Sequence, residues 1–179
     1  MTPVGANRQT AGWVAVVLFL VVVAANAASL PEGHESMRSV TVHLYSTTEE
    51  AVVRLLQRTY PSQQGPPWVA TIEGDPCLYI HLYRGRGADY EVEEWAAVTQ
   101  LCGGEPSVSV TADISGRHPG DEQVRQFVIT LLGTFGGAAQ DEYSNHLWAL
   151  EDVATNRRVH GHPFFDYKSP SPRIVGVKA

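Results

Sequence analysis

The chain has 179 residues, 44% of them hydrophobic and 18% charged, which suits one globular domain with extensions and excludes a disordered chain. Its formal net charge of -6 would repel a phosphate backbone, so nucleic acid is not an expected partner.

The first 27 residues differ from the rest. Trp13 to Ala25 is uncharged and almost wholly apolar, Arg8 is the only side-chain charge before it, and Ala25-Asn26-Ala27 supplies small residues at an A-x-A cleavage site. This is the pattern of a signal peptide cleaved after Ala27, and it is shorter than the roughly 20 apolar residues of a spanning helix. An uncleaved anchor is the second reading. A third starts translation at Met37 and leaves the protein cytosolic. The expected organisation is therefore 1–27 export segment or anchor, 28–37 linker, 38–167 a single α/β domain and 168–179 a loose tail, with membrane contact only through the first segment.

From Val40 to Tyr45 apolar and polar residues alternate, the period of a half-buried strand. Thr47 stands three residues before Glu50, a capping-box spacing that opens a helix with Val52, Leu55, Leu56 and Thr59 on one face and Pro61 beyond its end. Trp68–Ile72 reads as a second strand, Glu73-Gly74-Asp75-Pro76 as a turn, and Leu78–Tyr83 as a third strand. Asp89 is expected to cap a second helix from Tyr90 to Cys102, with Trp95, Val98 and Cys102 on one side and Gly103-Gly104 as its stop. Val108, Val110 and Ala112 mark a fourth strand. This βαββαβ order over residues 38–114 predicts a ferredoxin-like α/β (α+β) core. A third helix follows from Asp121, with the stripe Val124, Phe127, Val128, Leu131 and Phe135 ending at Gly136-Gly137. A short strand or turn at His146–Trp148, a helical turn at Leu150–Val153 and the apolar Pro163-Phe164-Phe165 complete the extension.

No phosphate loop, dinucleotide fingerprint, nucleophile elbow, zinc-protease helix or C-x-x-C pair occurs, which weighs against the common enzyme classes and implies no cofactor. The informative pattern lies on the strands. With Val40, Val42 and Leu44 facing the helices, His43 and Tyr45 face the other way; with Leu78, Ile80 and Leu82 inward, so do Tyr79, His81 and Tyr83. In a ferredoxin-like sheet the two strands are adjacent and parallel, so His43 is expected near His81 and Tyr45 near Tyr83. Thr71, Glu73, Ser109, Thr111 and Asp113 flank them. This surface is read as a binding face, a dimer face or ground covered by the third helix. Two weaker constellations are His160-Gly161-His162, too few ligands for a metal, and the acid–base pair Asp113 with His118. The cysteines Cys77 and Cys102 suit one disulfide in an exported protein and two free thiols in a cytosolic one. A helix packed back on the third strand would bring them to one end of the domain.

The strings ISGRHPGDEQVRQFVITLLGTFGG, AQDEYSNHLWALEDV and GHPFFDY, over the last third of the chain, resemble small uncharacterised actinobacterial proteins, some found beside secreted toxins and called immunity-like. The resemblance implies a protein that binds and blocks a partner, and an acidic surface suits a basic one. The expected function is thus a non-enzymatic, immunity-like binding protein using the His43, Tyr45, Tyr79, His81 and Tyr83 face or an acidic rim. The alternative is a small-molecule-binding or enzymatic domain using the same face. A broad exposed surface favours the first; a closed pocket with perturbed titratable groups favours the second.

Overall fold

The computed structural model describes residues 38–166 and residue 168; the expected export segment, the linker and all but Lys168 of the expected tail lie outside the described residues. None of the described helices is long and apolar enough to cross a membrane. Strand β1 (Arg38–Leu44) leads to helix α1 (Glu49–Thr59). Its cap is Thr48, one residue beyond the position the capping-box spacing indicates: the Thr48 hydroxyl accepts from the Ala51 N–H at 3.3 Å. Glu49 and Glu50 occupy the first turn and Arg58 the last, both signs favourable to the helix dipole. Strands β2 (Trp68–Ile72) and β3 (Asp75–Tyr83) join through Glu73 and Gly74 at φ 51° and 88°, the left-handed pair of a two-residue hairpin turn. Glu73 therefore belongs to the turn and not to the sheet face.

A short 3-10 turn (Arg86–Asp89) precedes helix α2 (Val92–Cys102). Asp89 does not cap it; Glu91 holds that position without a side-chain bond, and the Asp89 carboxylate accepts the Tyr83 hydroxyl. Then come β4 (Val108–Ile114), α3 (Asp121–Phe135), β5 (Ala138–Asp141), β6 (Leu147–Trp148) and α4 (Leu150–Ala154). The fold is mixed α+β, with all the described strands in one antiparallel sheet of order β2-β3-β4-β1-β5-β6. A ferredoxin-like order would set β1 and β3 side by side and parallel. Instead β4 stands between them, pairing along its length with β1 and from Ser109 to Ile114 with β3. Alternation in a strand fixes which residues share a face but says nothing about which strand lies beside it.

One face of the sheet carries the main core. Val40, Val42, Leu44, Leu78, Ile80, Val110, Ala112 and Ile114 are buried there under Val52 and Leu56 of α1 and Val124, Phe127, Val128 and Leu131 of α3. The third helix thus follows its expected stripe, apart from Phe135, which is only partly buried, and it covers the apolar face. The buried Asp141 carboxylate ties the C-terminal segment down by accepting the N–H groups of Tyr143, Ser144 and Phe165.

Helix α2 lies on the other face. Its stripe of Trp95, Val98 and Cys102 is the expected one, but it packs with Ala138 and Leu147 against β1 and β5, not back along β3. Gly103, at φ 81°, ends the helix, and the Gly103 and Gly104 N–H groups return to the Gln100 and Thr99 carbonyls. This placement overturns the expected disulfide. Cys77 and Cys102 are both buried and free. Cys77 belongs to the first-face core beside Leu78, which pairs with Ile114. Cys102 lies on the second face, its thiol donating to the His43 carbonyl at 3.7 Å. His43 pairs with Ser109, five residues along β4 from Ile114, a run of roughly 17 Å. A disulfide needs Cα atoms within about 7 Å.

Candidate functional site

The second face is organised as three cross-strand rows. Tyr79, Asp113 and Ser39 form the first; His81, Thr111, Thr41 and Gln140 the second; Tyr83, Ser109, His43 and Ala138 the third. The expected proximity of His43 to His81 and of Tyr45 to Tyr83 is not found. His43 and His81 lie in different rows with β4 between their strands. Tyr45 lies past the end of β1, against Gly104, and is exposed.

The third row is closed. His43 is wholly buried, bonded through Nδ1 to the Ser109 hydroxyl at 2.9 Å and through Nε2 to the Tyr90 hydroxyl at 3.1 Å. Tyr90 and Trp95 meet the imidazole edge-on, with ring centroids 5.5 and 5.8 Å away. Loss of hydration disfavours the charged imidazolium, lowering the His43 pKa to about 4. Burial also raises the Tyr90 phenol and the Cys102 thiol, to about 12 and about 11. The ring is therefore neutral near neutrality, with one nitrogen donating and the other accepting, and both already have partners. Gly137 makes this closure possible: its φ is 125°, and a Cβ there would stand 2.0 Å from the His43 carbonyl oxygen.

The first two rows are open. Tyr79 is 38% exposed and the His81 side chain 40%, enough for both to meet a partner. His81 Nε2 lies 2.8 Å from Asp113 Oδ2, a diagonal cross-strand pair. The Thr41 and Thr111 hydroxyls bond at 3.1 Å, and Ser39 donates to Glu142. Asp113 thus pairs with His81 and not, as expected, with His118, which sits 2.8 Å from Asp75. His162 bonds Asp166 at 2.9 Å, and among the described residues no group of three metal-ligating side chains gathers around His160 and His162 or elsewhere.

Tyr90 and Trp95 are the residues whose part in the site the sequence reading missed; Ser109 was placed on the flank of this face, but not as the partner of His43. Trp95 was legible as an inward helix position, but its contact with His43 depends on which face α2 covers. Comparisons with protein-family models, curated proteins and solved structures found no match.

Proposed function

We propose that the protein is a non-enzymatic, immunity-like binding protein that holds a basic protein partner against the open rows of the second sheet face. The observation that carries this reading is the exposure of Tyr79 and His81 beside Asp113 on adjacent strands of the sheet. Aromatic rings on strands lose little freedom on binding, and the net charge of -6 favours a cationic partner. The enzymatic alternative draws less support, because the most perturbed imidazole, His43, is buried and bonded at both nitrogens. Export through residues 1–27 belongs to the same proposal and would bring the surface to an extracytoplasmic partner.

The test is capture from an extract of the native host with the wild-type chain and with a Tyr79→Ala/Asp113→Ala double variant as baits. A basic protein retained by the wild type should fall at least about tenfold with the variant and weaken as salt rises. Equal retention by both baits would sink the proposal. For export, residues 1–30 fused to a reporter should direct translocation and leave Ala28 as the new N-terminus. A native N-terminus at Met37 would return the protein to the cytosol.

A further inference from the structure

A cleft of about 180 Å³ opens where β3 ends and β4 begins, lined by residues from both faces of the sheet. Trp95 and Tyr83 contribute aromatic walls, Ser107 and Ser109 contribute hydroxyls, and Glu49 with Arg84 contribute one charge of each sign. The two charged groups are paired, with Arg84 Nη2 2.8 Å from Glu49 Oε1. We propose that this cleft binds a neutral sugar, a single pyranose ring of monosaccharide size.

Size and charge decide the class. The volume equals the share of about six waters and lies below the roughly 300–1,000 Å³ of pockets that hold drug-sized ligands. A cleft whose two charges cancel carries no net charge to attract an ion. A carboxylate brought to Arg84 meets Glu49 as well, an amine brought to Glu49 meets Arg84, and a zwitterion must break the pair to use it. A ring bearing neighbouring hydroxyls needs none of this. One hydroxyl donates to the carboxylate while the next accepts from the guanidinium, which has five N–H donors on a side chain 74% exposed.

The remaining lining matches the rest of such a ring. Its C–H face is apolar and slightly positive, suited to the negative face of an indole or phenol. Deeper in lies Ser109, a residue only 6% exposed, whose hydroxyl is held against His43 Nδ1 before any ligand arrives. The neutral imidazole gives this anchor a constant hydrogen-bonding character near neutrality. The site is separate from the open rows, so it stands independently of the protein partner proposed above.

The test uses the full chain titrated separately with glucose, galactose and N-acetylglucosamine, read by saturation-transfer NMR on the sugar protons, with acetate and glycine as controls. At least one sugar should bind saturably, with a Kd on the order of 1 mM for so small a ligand. Arg84→Ala, at an exposed position, should weaken that binding about tenfold with thermal stability unchanged. Tyr79→Ala, on the open rows, should leave it intact. The proposal is overturned by the absence of saturable binding for all three sugars, by equal binding of acetate or glycine, by sugar binding indifferent to Arg84→Ala, or by sugar binding lost in Tyr79→Ala.

Discussion

His43 and His81 occupy the same face of the same sheet, each in an alternating strand, and their surroundings are opposite. His43 is sealed beneath Tyr90 and Trp95 with both nitrogens bonded; the His81 side chain is 40% exposed and pairs with one carboxylate. The difference comes from α2, which crosses the sheet at the level of the third row and packs on β1 and β5. Strand pattern chooses the face, and the path of a helix from another part of the chain then decides whether that face is core or surface. Stability should therefore concentrate at one end of the face and binding capacity at the other.

The most damaging change should be at the glycine that lets the chain entering β5 pass close to the His43 carbonyl. Gly137→Val combines a backbone angle that valine rarely adopts with a Cβ directed at the His43 carbonyl. Strain and overpacking together should cost on the order of 4 kcal/mol, read as a lower urea midpoint. Wild-type stability in this variant would mean that the closed end tolerates opening. The next effect is pH-dependent. The folded His43 pKa is lowered from 6.5 to about 4, so between those values the unfolded chain binds more protons. The contribution of this group is complete above about 6.5 and is lost as pH falls towards 4, by about 3 kcal/mol in all. Urea titrations of wild type and His43→Gln should show the variant missing that part of the slope. Identical slopes would place the acid sensitivity elsewhere.

Much of this architecture is legible in the residues themselves. The alternation of Val40–Leu44 and Leu78–Leu82, most of each helix stripe and the Gly103 stop are local signals, each set by a period or a backbone angle, and the structure repeats them; Thr59, expected on the inward face of α1, is exposed. Three features are not local. The insertion of β4 between β1 and β3 is a choice among partners that the pattern leaves equal. Strand β5, Ala-Ala-Gln-Asp, has no β-branched residue, and it pairs with β1 because small side chains and Gly137 permit close approach. The side taken by α2 follows from that strand, since Ala138 supplies its seat. The Cys77–Cys102 inference failed for the same reason: it assumed a helix returning along its own strand.

A smaller effect sharpens the closed end. Tyr90→Phe keeps the ring against His43 and removes only the hydroxyl that meets Nε2 at 3.1 Å. Leaving a buried ring nitrogen unpaired should cost about 1–2 kcal/mol in chemical denaturation. No loss at all would show that water or the neighbouring Gln140 side chain can take the place of the phenol.

The smallest effect belongs to the open end. His81 and Asp113 form a close pair at 2.8 Å, yet their side chains are 40% and 22% exposed. Solvent screens such a pair, and ordering the two side chains consumes much of its attraction, so its worth is about 0–1 kcal/mol. His81→Ala should therefore shift stability by less than about 1 kcal/mol, and a double-mutant cycle with Asp113→Ala should give a coupling in the same range that shrinks with salt. A coupling near the cost of losing His43 would make the two rows energetically alike and erase the contrast between core and surface. A weak coupling leaves the imidazole and the carboxylate able to exchange each other for groups on a partner at little cost. That freedom is what a binding surface requires and what the network around His43, with each nitrogen already committed, lacks.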